Sequence, residues 1–297
     1  MLLNVVGPVV LLVLTGYLLG RYRPVEVSSL APVSMYLFAP ALVFQSLTHS
    51  PLTAGYAPRL LAACVLHLLA MLGLGLAASQ AVGLRGPRRA AFLLPTFHYN
   101  AGNYGLPVAL FAFGPLGFQA ATLIFVVNAT VANFTAGVTA AWGSRGGLRR
   151  AVSDMLRLPL SYAVVAAVGV LVTGWKVPQW LERTVDILAS GAVPLLVVTL
   201  GIQLAQGGGV QPSAGLFTAG VLRLVASPAV AAGVAGLVGL EGTSRDVFVL
   251  VAGMPAAVNT FLFASEFACE PGFVASAVFT TTLASFVTVS ALLYLLL

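Results

Sequence analysis

Long apolar stretches alternate along the whole chain with short gaps that hold charged residues, glycine or proline. A helix needs about 20 mostly apolar residues to cross the hydrocarbon core of a bilayer. Ten stretches reach or approach that length, and the pattern therefore predicts an all-α polytopic membrane protein with ten transmembrane spans. The spans, numbered 1 to 10, cover residues 4–20, 30–48, 58–82, 89–112, 117–142, 159–175, 183–204, 214–238, 246–268 and 273–296.

Composition supports this prediction, because 59% of the 297 residues are hydrophobic and only 7% are charged. Soluble domains carry about 25% charged residues. So apolar a chain excludes a soluble enzyme, a disordered chain and a nucleic-acid-binding module. Cys64 and Cys269 both lie in apolar segments, without the spacing of a disulfide framework or a zinc site, and we expect neither metal nor cofactor.

The basic residues predict the orientation of the chain. Loops after the odd-numbered spans carry nine arginines, the opposite side carries four Lys and Arg residues, and Arg223 lies inside span 8. The positive-inside rule places the nine in the cytoplasm and both termini outside. The location we expect is the plasma membrane, a bacterial inner membrane. The first apolar run has no basic n-region, so we interpret it as span 1 and not as a signal peptide.

Residues 61–115 resemble residues 217–271 at a constant offset of 156, with 18 identities in 55 pairs. Matched positions include Asn103 with Asn259 and Pro115 with Pro271, which argues against chance similarity between apolar helices. Each copy contains five spans, an odd number, so the second copy enters the membrane from the opposite side. Such inverted repeats are typical of secondary transporters with a substrate site near the middle of the bilayer.

The repeat divides the chain into three parts. Residues 1–143 form the first five-span repeat, residues 144–158 a basic cytoplasmic linker, and residues 159–297 the second repeat. The linker is either a simple connection or a short amphipathic helix at the membrane surface. In the second case Leu148, Val152 and Met155 would share its apolar face.

Span 4 contains an unusual segment, Asn100-Ala-Gly-Asn-Tyr-Gly-Leu-Pro107, in which Gly102, Gly105 and Pro107 should break the helix. Unpaired backbone at this depth survives only beside protein or a water-filled cavity. Asn100 and Asn103 are three residues apart and share a helix face. Their amides, with the N–H groups of a half-helix N-terminus, would favour an anionic ligand.

Span 9 mirrors this feature with Met254-Pro-Ala-Ala-Val-Asn259, where Pro255 should break the helix. We expect the two broken helices to cross in mid-membrane, with Asn103 and Asn259 at the crossing. The alternative is that the asparagines only cap the broken ends. The predicted substrate-binding residues are Asn100, Asn103, Asn259, Gln45, Gln203, Gly102 and Gly105, and the predicted helix breakers at the crossover are Pro107 and Pro255.

Four ionisable residues within the spans are candidates for proton or charge coupling, since such residues are costly there: His67, His98, Arg223 and Glu266. His67 or His98 could carry a proton, and Arg223 could bind a carboxylate or pair with an acid. Glu266 could pair with Arg223 or approach the surface. Hydrogen-bonded core histidines and an interfacial arginine are the structural alternatives.

These two Asn-containing motifs and the five-plus-five layout resemble the auxin efflux carrier family, whose bacterial branch includes permeases for malonate and other organic acids. The short linker after span 5 fits that branch. The resemblance implies a sodium/bile-acid-symporter-like fold with crossed helices 4 and 9. It also implies a scaffold of spans 1, 2, 6 and 7, a transport domain of spans 3–5 and 8–10, elevator-type alternating access, and a homodimer.

The expected function is secondary transport of a small organic anion, a carboxylate, across the lipid bilayer. The chain has no GxxxxGK[ST] loop for a nucleotide. With no carboxylate close in sequence to Asn103 or Asn259 except Glu266, coupling to H⁺ or to membrane potential is favoured over Na⁺. The alternatives are a non-transporting sensor, a Na⁺-coupled symporter of the same fold, and an intramembrane enzyme. No nucleophile–base motif in the sequence supports the enzyme.

Overall fold

The computed structural model describes residues 2–49, 57–141, 159–206, 210, 212–266 and 269–297. Every regular element in these ranges is a helix. Predicted spans 1–3, 6–8 and 10 each coincide with one helix to within a few residues, whereas spans 4 and 9 each correspond to two shorter helices and span 5 lies within the longer helix Leu106–Ala141. The helices are Leu2–Tyr22, 27–48, Ala57–Ala81, Gly86–Phe97, 101–141, Pro159–Thr173, Gln179–Gln206, Ala214–Val238, Gly242–Ala252, Asn259–Glu266 and Pro271–Leu296. The linker 144–158 lies outside the described residues.

The helices are those of a membrane protein. Five are long and apolar enough to cross a bilayer: Ala57–Ala81, Ala101–Ala129, Gln179–Gln206, Ala214–Val238 and Pro271–Leu296. Shorter apolar helices cover 7–22, 36–48 and 162–173. Large apolar side chains such as Leu237 (83% exposed) and Val172 (80% exposed) point outward, as a lipid-facing surface requires.

Spans 4 and 9 are each interrupted. We name the halves of span 4 half-helices 4a (Gly86–Phe97) and 4b (101–113), and those of span 9 half-helices 9a (Gly242–Ala252) and 9b (Asn259–Glu266). The interrupted segment of span 9 contains Pro255, as predicted. Half-helices 4a, 9a and 9b have 12, 11 and 8 residues, so none of these three could cross a bilayer alone.

Pro107 does not lie at the break of span 4. The helix stops before residue 98 and restarts at Ala101 with a π-helical turn, Ala101–Gly105, so Pro107 lies inside 4b. In this turn the N–H of Leu106 bonds to the carbonyl of Ala101, five residues back. Pro107 then follows with no N–H to place, and the widened turn accommodates its ring.

The backbone conformation repeats with the sequence. Three pairs of residues with positive φ are separated by the same 156 positions that relate the two sequence repeats. The pairs are Gly83 and Gly239 (φ 71° and 67°), Gly86 and Gly242 (54° and 56°), and Gly114 and Glu270 (64° and 41°). Each pair lies at a connection between helices, so equivalent turns in the two halves have the same shape.

Spans 1 and 7 pack along each other, and so do spans 2 and 6. The first contact is very close. A Cβ atom on Gly16 would lie 2.1 Å from the carbonyl oxygen of Val198, and one on Gly201 would lie 2.1 Å from that of Val13. Small residues allow such backbone approach between membrane helices. This contact joins the two halves of the chain.

The remaining helices surround the interrupted segments. Spans 3 and 8 pack on each other, half-helix 4a packs on span 3, and 9a packs on span 8. Span 10 contacts 4a, while 9a contacts the helix Leu106–Ala141. The buried core lies here, and it includes almost the whole of the stretch from Ala90 to Ala109.

Candidate functional site

The interruptions of spans 4 and 9 meet each other. The N–H of Asn100 donates to the carbonyl of Pro255 at 2.8 Å, and that of Ala257 donates to the carbonyl of His98 at 3.0 Å. Tyr99 and Ala256 form the antiparallel bridge between these bonds. Backbone groups that the helix breaks leave free therefore satisfy one another, as burial in a membrane demands.

Side chains of spans 5 and 10 complete this pairing. The Asn128 amide of span 5 donates to the carbonyl of Tyr99 at 2.8 Å. In span 10 the Thr281 hydroxyl accepts from the N–H of Ala256 at 3.2 Å. The fifth span of each half thus holds the broken segment of its own half.

A cavity of about 60 Å³ lies beside the crossing, at the N-terminal ends of 4b and 9b. Its lining residues are His98, Tyr99, Asn100, Ala101, Gly102, Asn103, Phe125, Asn128, Ala129, Ala257, Val258, Asn259, Thr260 and Phe263. All three predicted asparagines are among them. None of the described lining residues is acidic, so the polar groups offered to a ligand are amides, hydroxyls, an imidazole and backbone.

The three asparagines differ in their roles. Asn100 is buried, and its Oδ1 accepts from the N–H of Asn103 at 3.1 Å, which caps half-helix 4b. Its Nδ2 has no hydrogen-bond partner among the described residues. Asn103 is half-buried and Asn259, the first residue of 9b, is exposed. Capping and ligand binding are therefore not exclusive at Asn100, since one amide can do both.

The two glycines of the motif serve packing in different places. Gly102 lines the cavity, and a Cβ there would lie 2.8 Å from the ring of Phe125. Gly105 is not part of the lining, and a Cβ there would lie 3.4 Å from the carbonyl oxygen of Asn100. Gly102 is thus the one that shapes the cavity wall.

Gln45 and Gln203 do not line the cavity. The Gln45 amide donates to Asp186 Oδ1 of span 7 at 2.7 Å, beside a contact of 3.3 Å between His49 and Glu182. This polar cluster joins spans 2 and 7, and sequence reasoning missed Asp186. The predicted substrate contact of the two glutamines stays a prediction.

Arg223 is fully buried at the crossing, where it contacts backbone carbonyls at the ends of half-helices 4a and 9a. Its guanidinium donates to the carbonyl of Thr96 at 3.0 Å and contacts the carbonyl of Ala252 and the hydroxyl of Ser227. It also lies 5.2 Å from the centre of the Tyr99 ring. Thr96 and Ala252 are equivalent under the offset of 156, so one side chain bonds to the same position in both repeats.

His67 reaches the same cluster. Its Nε2 lies 3.2 Å from the carbonyl oxygen of Ser227 and 3.0 Å from the hydroxyl. Because a carbonyl only accepts, Nε2 carries a proton. Sequence reasoning missed Ser227 and Tyr99, although Ser227 follows Arg223 by four residues and so shares its helix face.

Two ionisable candidates remain, His98 and Glu266. His98 is fully buried, lines the cavity and stacks on Phe97 with ring centres 4.1 Å apart. The side chain of Glu266 lies outside the described part of the chain, so its pairing with Arg223 is not tested. Thr96, Ala252 and Ser227 supply the oxygens that the structure describes around Arg223.

Apolar helices interrupted at a shared, polar crossing define an integral membrane transporter. Residues 148–293 match the family described as membrane transport proteins. An uncharacterized transporter of Methanocaldococcus jannaschii is 23% identical over 296 residues, covering 94% of both chains. One of Methanothermobacter thermautotrophicus is 28% identical over 286 residues, covering 94% of this chain and 93% of its own.

A rice protein, probable auxin efflux carrier component 5b (Oryza sativa subsp. japonica), is 33% identical over 135 residues, which cover 43% of this chain and 37% of the rice chain. The chain belongs to the membrane transport protein family that includes the auxin efflux carriers. It is a transporter and not an enzyme.

Proposed function

We propose that the protein is a secondary transporter of a small organic anion, a carboxylate. The observation that carries this proposal is the cavity at the crossing, where the N-terminal ends of half-helices 4b and 9b meet beside three asparagines. Helix N-termini carry partial positive charge and free N–H groups. In transporters with broken helices, such ends are directed at anionic groups of the substrate.

The side chains of the cavity fit the same ligand. Asn100 Nδ2 is a buried donor without a partner among the described residues, and the amides of Asn103 and Asn259 line the same space. An amide donor suits a carboxylate oxygen. At about 60 Å³ the cavity is far smaller than the roughly 300 Å³ or more of a typical ligand site, so it suits the carboxylate end of a small acid.

The architecture we propose is an inverted repeat of five plus five spans with the fold of the sodium/bile-acid symporters. The equivalent left-handed turns support the repeat. The helix packing supports the repeat as well. In an inverted repeat, span 6 is the counterpart of span 1 and span 7 that of span 2, so the contact between spans 1 and 7 has its counterpart in the contact between spans 6 and 2. Spans 1, 2, 6 and 7 form the scaffold, and spans 3–5 and 8–10 form the transport domain of an elevator.

The name of the rice relative supports a carboxylate substrate, and no relative's name identifies a substrate for this chain. The rice relative is named a probable auxin efflux carrier component, and the two archaeal relatives are named only as transporters. We extend the proposal to a homodimer that associates through the scaffold. It lies in the plasma membrane of a prokaryotic cell with both termini outside the cytoplasm, and H⁺ or membrane potential drives transport.

A thermal-shift screen of the purified protein tests the ligand class. The panel holds small mono- and dicarboxylates and indole acids, because a ligand that binds only the folded state raises its melting temperature. We expect a rise with at least one acid, and its loss in Asn103→Ala. No rise with any acid in the wild-type protein would contradict the proposal.

Uptake into proteoliposomes separates the transporter from a sensor. An acid that raises the melting temperature should also accumulate in vesicles that contain the protein and not in empty vesicles. Binding without accumulation would favour the sensor.

A further inference from the structure

Arg223 is a permanent cation in the interior of the membrane-spanning fold, and three oxygen atoms contact the two terminal nitrogens of its guanidinium. An arginine side chain stays protonated in proteins. Its guanidinium contacts two backbone carbonyls, of Thr96 and Ala252, and the hydroxyl of Ser227. No described carboxylate contacts it, so helix ends provide the compensating negative charge.

The two carbonyls lie at the C-terminal ends of two half-helices, and one guanidinium contacts both of them. Half-helix 4a ends at Phe97 and 9a ends at Ala252. A helix C-terminus carries partial negative charge and carbonyls that lack an intrahelical partner. Two such ends brought together form an oxygen-lined site of negative potential, and in transporters with broken helices such ends coordinate Na⁺.

The site is closed around the guanidinium by three further contacts. The Ser227 hydroxyl donates to the carbonyl of Ala252 at 2.7 Å, and His67 Nε2 contacts Ser227 from the other side. The Tyr99 ring lies 5.2 Å from the guanidinium carbon, which is cation–π distance. These contacts hold the guanidinium in place, and because it is covalently part of the chain it cannot exchange with solvent as a bound ion does.

We propose that Arg223 is a positioning residue that takes the place of a bound Na⁺ at the helix crossing, and that the protein therefore needs no Na⁺ to form its substrate site. This inference rests on the transport function proposed above. Arg223 holds the C-terminal ends of 4a and 9a together, and the N-terminal ends of 4b and 9b, on the other side of the same break, remain free for the anion. The fixed charge moves with the transport domain.

The test is the cation dependence of thermal stability, measured without any organic acid. Wild-type protein, Arg223→Lys and Arg223→Ala are melted in NaCl, LiCl, guanidinium chloride and choline chloride at equal, low concentrations. A cation that binds the folded state raises its melting temperature in a saturable way. We expect no difference between Na⁺ and choline for the wild type or Arg223→Lys. Arg223→Ala should melt lower in choline and recover in Na⁺ or guanidinium.

Arg59→Ala is the matched control. Arg59 also donates to a helix-end carbonyl, that of Gly239 at 3.1 Å, but it is exposed. Its removal should create no cation dependence, because water can satisfy the carbonyl. A cation response in Arg59→Ala equal to that of Arg223→Ala would overturn the proposal.

Two further outcomes would also overturn it: saturable stabilisation of the wild type by Na⁺ over choline, or a folded Arg223→Ala protein that responds to no cation. If Arg223→Ala does not fold, the wild-type and Arg223→Lys measurements still decide. Since no acid is present, failure of the organic-anion proposal leaves this result unaffected, and failure here leaves the acid screen unaffected.

Discussion

At the scale of single residues, the crossing separates side chains that hold the backbone from side chains that are free for a ligand. Asn128 and Thr281 are committed to backbone groups of Tyr99 and Ala256. The side-chain amides of Asn103 and Asn259 line the cavity and form no hydrogen bond within the described residues. Substitution should therefore affect stability in the first pair and substrate binding in the second.

Asn103→Ala and Asn259→Ala should each abolish or strongly reduce transport while the protein stays folded. Each variant loses a side-chain amide that forms no hydrogen bond to any described residue. The melting temperature without ligand should therefore stay close to that of the wild type. Loss of one hydrogen bond to a charged ligand corresponds to about 1.5–3 kcal/mol, or roughly 10- to 150-fold in affinity. The measurements are the thermal shift with acid and uptake into vesicles.

Asn128→Ala is the control for that pair, since it removes the donor to the buried carbonyl of Tyr99. We expect it to lower the melting temperature even without ligand. Normal transport by Asn103→Ala would remove this residue from the binding site.

Asn100 combines both tasks, and two substitutions separate them. Asn100→Ala should lose the cap of 4b, at about 1 kcal/mol, as well as the donor Nδ2. Asn100→Ser keeps an oxygen that can cap the helix but has no amide donor. We expect Ser to recover most of the stability and none of the affinity for the acid. Equal affinity in Asn100→Ser and wild type would assign Asn100 to capping alone.

At the scale of helices, the sequence was informative about where each element lies and less so about how a helix is interrupted. The apolar lengths and the Gly and Pro positions locate the spans to within a few residues, because the thickness of the bilayer constrains them. The break in span 4, however, falls at 98–100 and not at Pro107. Proline removes one N–H wherever it lies, and the tertiary pairing with Pro255 decides where the helix stops.

The same limit applies to the candidate site. The offset of 156 pairs Asn103 with Asn259 and His67 with Arg223, and it locates the asparagines of the cavity. It does not show that Arg223 contacts Thr96 and Ala252, because those contacts involve backbone carbonyls, which every residue has. Asp186, the partner of Gln45, is 141 residues away along the chain, a separation different from the repeat offset of 156, so the repeat does not pair the two residues.

The contact between spans 1 and 7 gives a prediction for helix packing. Gly16→Ala or Gly201→Ala would place a Cβ 2.1 Å from a backbone oxygen of the other helix, so the helices must move apart. We expect a marked fall in melting temperature for either variant. Gly73→Ala is the control, because a Cβ there meets nothing within 4 Å and alanine favours the helix. Equal melting temperatures for all three would contradict this packing.

At the scale of the whole molecule, a fixed internal cation leads to a prediction about the net charge that crosses the membrane with each substrate molecule. If Arg223 stays with the protein and no Na⁺ accompanies the substrate, each monovalent acid anion carries one net negative charge across. Its equilibrium distribution should then change about tenfold for every 60 mV or so of membrane potential. Vesicles with K⁺ gradients and valinomycin set the potential, and labelled acid reports the distribution.

Reversal of the K⁺ gradient should reverse the direction of accumulation, and replacement of Na⁺ by choline should have no effect. A distribution that ignores the potential but follows a pH gradient would point to a proton as the co-transported charge. In that case His98, which lines the cavity, is the residue to substitute first.

The close contact of Gly16 with Gly201 also determines the order in which the protein can be assembled during synthesis. Span 1 leaves the ribosome first, but its partner, span 7, begins at Gln179 and follows only after most of the chain has been made. Ribosomes add about 5–20 residues per second, so span 1 waits in the bilayer for roughly ten seconds or more. The first half of the chain therefore cannot complete its own scaffold, and co-expressed halves should assemble where either half alone is degraded.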